Sequence, residues 1–494
     1  MKIMKKHLVL ALFLILAVSV TQAQSVRFDD FFVNKTMRID YWHVGSRLHE
    51  SIILDRIYQQ GIWAGNPNKL VYPFQYGRYL VKVYDVASND LIYSKGYDGY
   101  FAEYKTTAPA SKGVQRVFSQ SALIPYPKQP ILFVVERRDS NNVYHPEFEQ
   151  RIDPSDYHID TGSAQRGDQI YEMVHNGDPH DKVDIVVLSE GYTAAEKKKF
   201  ETDLKKYTEV FFSWEPYKSY KDRFNFSGIF SPSPESGVDE PRQGRYQHTL
   251  LDATFNAMDS DRYLLTENNK SMRDVAAQVP YDIIVIMVNS KRYGGGALFG
   301  CYSTFTSDGP WSEYVFLHEF GHNFGGLGDE YYSSEVAYDE FFTPGVEPTE
   351  PNLTALLDPQ NLKWKDLVTP GLPIPTPWGQ EQYDSLNVEL RRLGKEESEK
   401  LQAMKDAGAT RKDIDDMRGE YGRKTQDLQK EIRDFMVNSP LRGKVGAFRG
   451  AGYSAKGMYR PTINSLMNQF NEQDKSYYKV NERAIVQMID YYSN

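Results

Sequence analysis

The chain contains 494 residues, which is too long for one ordinary hydrophobic core and predicts two or more domains. Hydrophobic residues make up 40% and aromatic residues 14%, enough for packed globular domains, and the net charge of −9 lacks the basic excess typical of nucleic-acid binding. Cys301 is the only cysteine, so an intramolecular disulfide and a cysteine-rich zinc or redox site are excluded.

The N-terminus has the pattern of a secretory signal peptide. Lysines within residues 1–6 precede an apolar run at residues 8–20, and small residues mark a cleavage site after Ala23. No later apolar run is long enough to cross a membrane, so no span is expected in the mature chain. Residues 1–23 are therefore predicted to be removed from an exported protein that is periplasmic, bound at the cell surface or extracellular.

Residues 24–160 are predicted to form an antiparallel β-sandwich. Short runs rich in Val, Ile and Tyr, at residues 79–86, 91–97 and 131–138, are separated by turn clusters such as "ASND" and "DSNN". Ligand-type residues do not cluster here, so the sequence favours a structural or positioning role over a binding module.

The pattern changes in the predicted second domain, residues 161–494. A buried-type strand at residues 183–192 precedes an amphipathic helix whose start carries a capping box, Thr193 and Glu196. Further strands follow at residues 224–230 and 281–289. Strands that alternate with helices indicate an α/β domain with a mostly parallel sheet, and make the whole chain an α+β multidomain protein.

A charged segment interrupts this domain at about residues 383–436. It is dense in Glu, Lys, Arg and Asp and has leucines and methionines at helical intervals. The composition predicts a solvated helical hairpin inserted into the α/β domain or packed beside it.

The stretch "YVFLHEFGHNFGGLGDEYY", residues 314–332, contains the pattern H-E-x-x-H. On a helix, His318 and His322 lie one above the other and can direct ring nitrogens at one metal ion. Glu319 is one step round the helix and can reach a water molecule at that metal as a general base. The pattern predicts one catalytic zinc ion.

A catalytic zinc needs a third protein ligand, and no histidine follows His322 in the chain. A helix that continued past His322 would use a carboxylate of a second helix, and the acids available there are Glu335, Asp339 and Glu340. Three glycines, Gly325, Gly326 and Gly328, disfavour that continuation, because glycine destabilises helices and permits sharp turns. A turn there brings Asp329 to the metal, with Glu330 as its closest rival.

This arrangement resembles the metzincin zinc endopeptidases, whose pattern is H-E-x-x-H-x-x-G-x-x-H. The chain departs from it because the last ligand would be Asp329 and lies one position later. Metzincins also have a methionine-containing turn beneath the zinc, and "YRPTINSLMNQF", residues 459–470, supplies Met467 as a candidate. Its role would be that of a packed apolar floor.

Five collinear stretches resemble the bacterial IgA metallopeptidase family: "VVLSEGYTAAEKKKF", "PSPESGVDEP", "YGGGA", "HEFGHNFGGLGDEY" and "GAGYSAKGMYRPTINSLM". The resemblance extends from about Asp168 to the C-terminus, and the β-rich region is similar to the N-terminal domain of that family. It implies a secreted zinc endopeptidase with His318, His322 and Asp329 as ligands and Glu319 as base, acting on a protein or peptide substrate.

Two further roles are expected in that reaction. The developing oxyanion needs a donor besides the metal, and Tyr453 or Tyr459 near the methionine turn could supply it. The glycine-led segment at residues 293–305 precedes the predicted zinc helix and has the pattern of an edge strand, to which an extended peptide could add.

Two other functions stay open at this point. The chain could be a catalytically silent binding protein that keeps the fold, although the presence of Glu319 argues against it. It could instead be a zinc amidase or exopeptidase that acts on small peptides. The natural substrate and the oligomeric state are not determined by the sequence.

Overall fold

A computed structural model describes residues 26–162, 166–332, 342–468 and 475–494. The predicted signal peptide lies outside these ranges, as do Glu335, Asp339 and Glu340. The strands are β1 (Phe32–Gly45), β2 (Glu50–Gln59), β3 (Tyr79–Asp85), β4 (Leu91–Tyr97), β5 (Arg116–Pro127), β6 (Ile131–Arg138), β7 (Tyr144–Ile152), β8 (Gln169–Val174), β9 (Val183–Glu190), β10 (Phe224–Phe230), β11 (Ile283–Val288), β12 (Gly295–Leu298), β13 (Tyr302–Thr306), β14 (Phe448–Ala451) and β15 (Ser454–Arg460).

The α-helices follow the same numbering in chain order. They are α1 (Phe28–Phe31), α2 (Tyr100–Tyr104), α3 (Ala108–Ser111), α4 (Lys197–Phe211), α5 (Asn269–Ala276), α6 (Ser312–Gly325), α7 (Gln380–Asp406), α8 (Arg411–Val437) and α9 (Tyr478–Tyr492).

The N-terminal region consists of two antiparallel sheets, with strand orders β2-β1-β5 and β4-β3-β6-β7. In β3 the buried residues Tyr79, Val81 and Val83 alternate with half-buried ones, as expected for a strand with one face toward the core. Ile39 of the first sheet and Phe133 of the second belong to one apolar cluster. The predicted β-rich N-terminal region is therefore confirmed.

The second half of the chain is built on a six-stranded sheet, in the order β12-β13-β11-β9-β10-β8. The four central strands are parallel, whereas β12 and β8 pair antiparallel at the two edges. Every residue of β9 and of β11 is buried, as expected for strands covered on both faces. The predicted mostly parallel α/β sheet is confirmed.

The two faces of this sheet belong to different cores. Val186 and Ile284 pack with the N-terminal β region. Their chain neighbours Ile185 and Val285 pack with α4, α6 and α9 on the other face. The N-terminal region thus covers the face opposite α6.

The charged segment forms the predicted helical hairpin from α7 and α8. Thr410 and Asp413 form a capping box at the start of α8. At its base, Tyr383 and Met436 pack with Trp378 in a separate apolar cluster. None of the helices in the described ranges is long and apolar enough to cross a membrane.

Candidate metal centre

Helix α6 carries the H-E-x-x-H residues and ends where the glycines begin. Gly326 has a φ of 61°, a left-handed conformation that glycine adopts without strain, and its N–H donates to the His322 carbonyl at 3.2 Å. Leu327 N–H donates to the Gly321 carbonyl at 3.3 Å. The chain therefore leaves the helix in one tight turn and runs back beside it.

This turn brings Asp329 to the two histidines. The Nε2 atoms of His318 and His322 are 3.1 Å apart, and Asp329 Oδ1 lies 3.1 Å from the first and 3.3 Å from the second. Ligands held tetrahedrally at about 2.0–2.2 Å from a zinc ion lie roughly 3.3–3.6 Å from one another. The spacing of the three atoms is thus close to that of a zinc site.

The electrostatics of Asp329 also suit a cation. Its Oδ1 is buried and accepts no hydrogen bond from the described residues, whereas Oδ2 accepts one from the Tyr453 hydroxyl. Burial opposes ionisation, but the charge of His322 and the close approach of both imidazole rings hold the pKa of Asp329 well below its usual range. Burial lowers the pKa of His322, yet Asp329 outweighs it and raises that pKa to about 9. The cluster therefore favours a positive charge at its centre, and its donor set fits a metal ion.

Backbone carbonyls fix the orientation of both imidazole rings. His318 Nδ1 donates to the Leu466 carbonyl at 2.9 Å, and His322 Nδ1 donates to the Leu327 carbonyl at 2.6 Å. These bonds use the Nδ1 atom of each ring and leave each Nε2 facing Asp329 Oδ1. The same second contact is typical of histidines that bind zinc.

Glu319 lies half-buried in the wall of a cleft of about 1350 Å³. Glu319 lines the cleft, and its carboxylate forms no hydrogen bond or ion pair among the described residues. Burial raises the pKa of Glu319, although the neighbouring histidines oppose this. A raised pKa suits a group that must both accept and release a proton.

Glu330, the rival ligand, points into a different environment. Its side chain is fully buried, and Oε1 accepts hydrogen bonds from Asn352 at 3.1 Å and Asn481 at 2.8 Å. Oε2 accepts one from the Ser465 hydroxyl at 2.7 Å. Of the two adjacent acids, only Asp329 meets the histidines, whereas Glu330 joins three separate chain segments.

Met467 is fully buried beneath α6. A β-carbon at Gly321 would lie 2.9 Å from the Met467 Sδ, so the thioether packs against the helix between the two histidines. The Met467 carbonyl accepts a hydrogen bond from Glu330 N–H at 2.7 Å, and the preceding Leu466 carbonyl holds His318. One short turn therefore supports both the helix and the chain leaving it.

The two tyrosines considered as oxyanion donors have different surroundings. Tyr453 lines the cleft, and its hydroxyl donates to Asp329 Oδ2. Tyr459 packs in a separate apolar cluster around Trp364 and lies outside the wall of the cleft.

Other residues next to the histidines were not predicted. The Tyr314 hydroxyl is 3.4 Å from His318 Nδ1, and the Tyr331 ring is parallel to that of His318 with centroids 6.4 Å apart. The spacing of four residues between Tyr314 and His318 on a helix could have identified the first. Arg262, which lies over the Tyr331 ring at 6.0 Å, comes from a distant loop and has no such signal.

Strand β12 forms one wall of the cleft. It is the edge of the sheet, and a β-carbon at Gly295 would lie 3.1 Å from Glu319 Cγ. Leu264 N–H already donates to the Gly295 carbonyl at 3.1 Å, and Ala297, further along the strand, lines the cleft. The base of the helical hairpin, including Ile432 and Arg433, also lines the cleft.

Comparisons with known proteins give a result at the level of the protein family. A search of curated proteins found no match. The family model described as Peptidase M64 N-terminus matches residues 27–149, and the one described as IgA Peptidase M64 matches residues 171–489, more than half of the chain. The resemblance inferred from the five sequence stretches is therefore confirmed, and the chain belongs to the IgA peptidase M64 family, a family of metallopeptidases.

Proposed function

We propose that the chain is a zinc-dependent endopeptidase in which His318, His322 and Asp329 hold the metal and Glu319 is the general base. Membership of a peptidase family supplies the class of reaction, hydrolysis of a peptide bond. The observation that carries the proposal is the convergence of two Nε2 atoms, at the base of an open cleft, on a buried Asp329 oxygen that accepts no hydrogen bond from the described part of the chain. The helix that ends at Gly325 and the methionine beneath it support a metzincin-like site.

Zinc at this position would polarise the scissile carbonyl as a Lewis acid and lower the pKa of a water molecule. The Glu319 carboxylate accepts a proton from the attacking water and passes it to the nitrogen of the leaving amine. The carbonyls of Leu327 and Leu466 keep the two imidazoles in position during the reaction. Tyr453 keeps Asp329 in position through its hydrogen bond to Oδ2.

The shape of the cleft supports internal cleavage of a polypeptide. A space of about 1350 Å³ that runs past β12, Glu319 and the hairpin base has room on both sides of the scissile bond. Ala297 on the edge strand offers backbone groups for an extended substrate. The N-terminal pattern at residues 1–23 supports export, so the substrate would be a protein or peptide outside the cytoplasm.

The test compares wild type with Glu319→Gln on an unfolded protein substrate, with zinc measured by elemental analysis. The variant is expected to retain about one zinc, with turnover lower by roughly 10²–10⁴-fold because the general base is lost. Mass spectrometry of the products separates internal cuts from removal of terminal residues. If zinc-loaded wild type cleaves nothing, the proposal fails and a silent binding protein is favoured. If Glu319→Gln remains fully active, Glu319 is not the base.

A further inference from the structure

A second cavity, of about 350 Å³, lies between the N-terminal β region and the sheet of the second half. Its volume is in the range of small-molecule sites. Many of its walls are aromatic, formed by tyrosines of both halves of the chain: Tyr93, Tyr97, Tyr281, Tyr302, Tyr491 and Tyr492. The turn between β12 and β13 separates it from the metal cleft, because Leu298 and Gly300 line the cavity whereas Phe299 lines the cleft.

A buried arginine faces this cavity without a counter-charge. Arg273 of α5 is 4% exposed and lines the cavity. Its guanidinium makes two long contacts, 3.4 Å to the Tyr281 hydroxyl and 3.6 Å to Cys301 Sγ, and its Nε has no hydrogen-bond partner among the residues that the structure describes. In the described part of the chain it forms no ion pair with a carboxylate.

Arg38 shows what a satisfied buried arginine looks like in the same protein. It is fully buried, and Asp40 accepts from its Nε at 2.7 Å and from its Nη2 at 2.6 Å. Asp274 accepts from its Nη1 at 2.6 Å. A buried guanidinium is costly without such partners, so Arg273 lacks the anion that Arg38 has.

Other polar groups converge on the same space. Lys95 of β4 lines the cavity, lies over the Tyr492 ring at 5.4 Å and forms no ion pair among the described residues. Burial and then the charge of Arg273 lower the pKa of Lys95, although Asp282 opposes them. The Ser119 Oγ, also in the cavity wall, is buried and makes no hydrogen bond within the described ranges. Two cations and an unsatisfied hydroxyl therefore face one enclosed volume.

The carboxylates in the wall already have partners. Asp98 accepts from Arg78 N–H at 2.6 Å, and Glu267 pairs with Arg116 at 3.0 Å. Asp282 accepts from Asp184 N–H at 2.9 Å, and burial raises its pKa, which weakens it as a counter-ion.

We propose that this cavity binds a small organic monocarboxylate, whose carboxylate pairs with Arg273 and Lys95 and whose apolar body packs against the tyrosine rings. Arginine suits this role because its planar fork matches the two oxygens of a carboxylate. The ligand could be a free organic acid or the terminal carboxylate of a short peptide, since both present the same group.

The test measures binding of phenylacetate, acetyl-Gly-Phe and the neutral phenylacetamide to the zinc-loaded full chain by calorimetry. At least one of the two acids is expected to bind saturably, and which one binds distinguishes the free acid from the peptide terminus. Phenylacetamide is expected to bind at least about 10-fold more weakly, because it lacks the charge.

Variants locate the binding in the cavity rather than at the metal. Arg273→Met and Lys95→Met are each expected to weaken acid binding by about 10-fold or more, with unchanged zinc content. Arg56→Met is the control: its side chain is 61% exposed, and the substitution should leave acid binding unchanged. Without ligand, Arg273→Met should melt at the same temperature as wild type or higher, because it removes an unpaired buried charge. Binding of neither acid, equal binding of the amide, or full binding by Arg273→Met and Lys95→Met would each overturn the proposal.

Discussion

Asp329 and Glu330 are adjacent acids whose side chains enter opposite environments. Because the chain turns at Gly326 and runs back beside α6, one side chain of the pair faces the histidines and the next faces away. Asp329 has a buried oxygen open to a cation, whereas both oxygens of Glu330 accept hydrogen bonds from side-chain donors. The same type of residue thus serves as a candidate metal ligand at one position and as a structural anchor at the next.

Alanine substitutions should separate these two roles. Asp329→Ala is expected to lose zinc, because only the two histidines remain as ligands. Glu330→Ala should keep zinc but lose about 3 kcal/mol of unfolding free energy, since three buried donors lose their acceptor. Elemental analysis and urea unfolding of both proteins check this. Full zinc in Asp329→Ala together with zinc loss in Glu330→Ala would reverse the assignment.

Contact between helix α6 and the edge strand β12 sets the position of Glu319. The strand has glycine where it crosses the helix, and a β-carbon at Gly295 would lie 2.6 Å from Val315 Cγ1 and 3.1 Å from Glu319 Cγ. The close approach places the edge strand next to the proposed base. Gly295 does not have a left-handed φ, so its backbone conformation does not require glycine. Glycine is required because a β-carbon would collide with the helix.

Gly295→Ala should therefore reduce turnover without removing the metal. The added methyl group must displace Val315 and Glu319, and a shift of this kind can cost about 10²-fold in rate. Gly394→Ala in α7 is the matched control, because a β-carbon there meets nothing within 4 Å. Kinetics and zinc content are measured for both variants. Equal turnover of the two would show that the contact does not position Glu319.

A buried ion network joins the two sheets of the N-terminal region, linking β1 and β2 of one sheet to β3 and β6 of the other. Glu50 accepts hydrogen bonds from His43 at 2.8 Å and Tyr79 at 2.7 Å and pairs with Lys105 and, at 3.0 Å, with Arg137. Burial acts to raise the pKa of Glu50, but these partners outweigh it and lower the pKa to about 2.

This lowered pKa predicts a stability that depends on pH. The stabilisation by the Glu50 carboxylate is fully present above the unfolded pKa of about 4.5. It is lost as the pH falls toward about 2, where the folded carboxyl takes up its proton, and amounts to roughly 3 kcal/mol. Glu50→Gln should be less stable than wild type at pH 7, with a difference that shrinks toward pH 2. Urea unfolding across this range checks it, and a constant difference would contradict it.

At the scale of the whole molecule, the candidate metal site connects parts of the chain that are far apart in sequence. Helix α6 supplies the histidines, the loop after it supplies Asp329, and the turn around Met467 holds His318 from below. On the other face of the sheet, the N-terminal region shares a core with β9 and β11. A ligand bound at the centre therefore stabilises contacts among several segments.

Removal of zinc should lower the melting temperature of the whole protein. A ligand that binds only the folded state stabilises it by about 2.7 kcal/mol when present at 100 times its dissociation constant. A chelator should thus reduce the melting temperature by several degrees, and added zinc should restore it. Asp329→Ala is the control and should melt at one temperature with or without chelator. A wild-type melting temperature that ignores the chelator would argue against a bound metal.

Local patterns in the sequence were enough to predict several elements. The spacing of His318 and His322 predicts a shared helix face, three glycines predict its end, and continuous apolar runs predict strands covered on both faces. The charged segment at residues 383–436 predicts the hairpin. Each of these depends on residues a few positions apart, where backbone geometry alone relates one side chain to the next.

Only the tertiary structure decided what depends on distant segments. The sequence left Asp329 and Glu330 as rivals, and contacts from Asn352, Ser465 and Asn481 direct Glu330 away from the histidines. Likewise, the unpaired Arg273 becomes visible only when the N-terminal region closes a cavity over it. Periodicity and spacing do not encode such contacts, because they arise from the packing of elements that are separated by up to hundreds of residues in the chain.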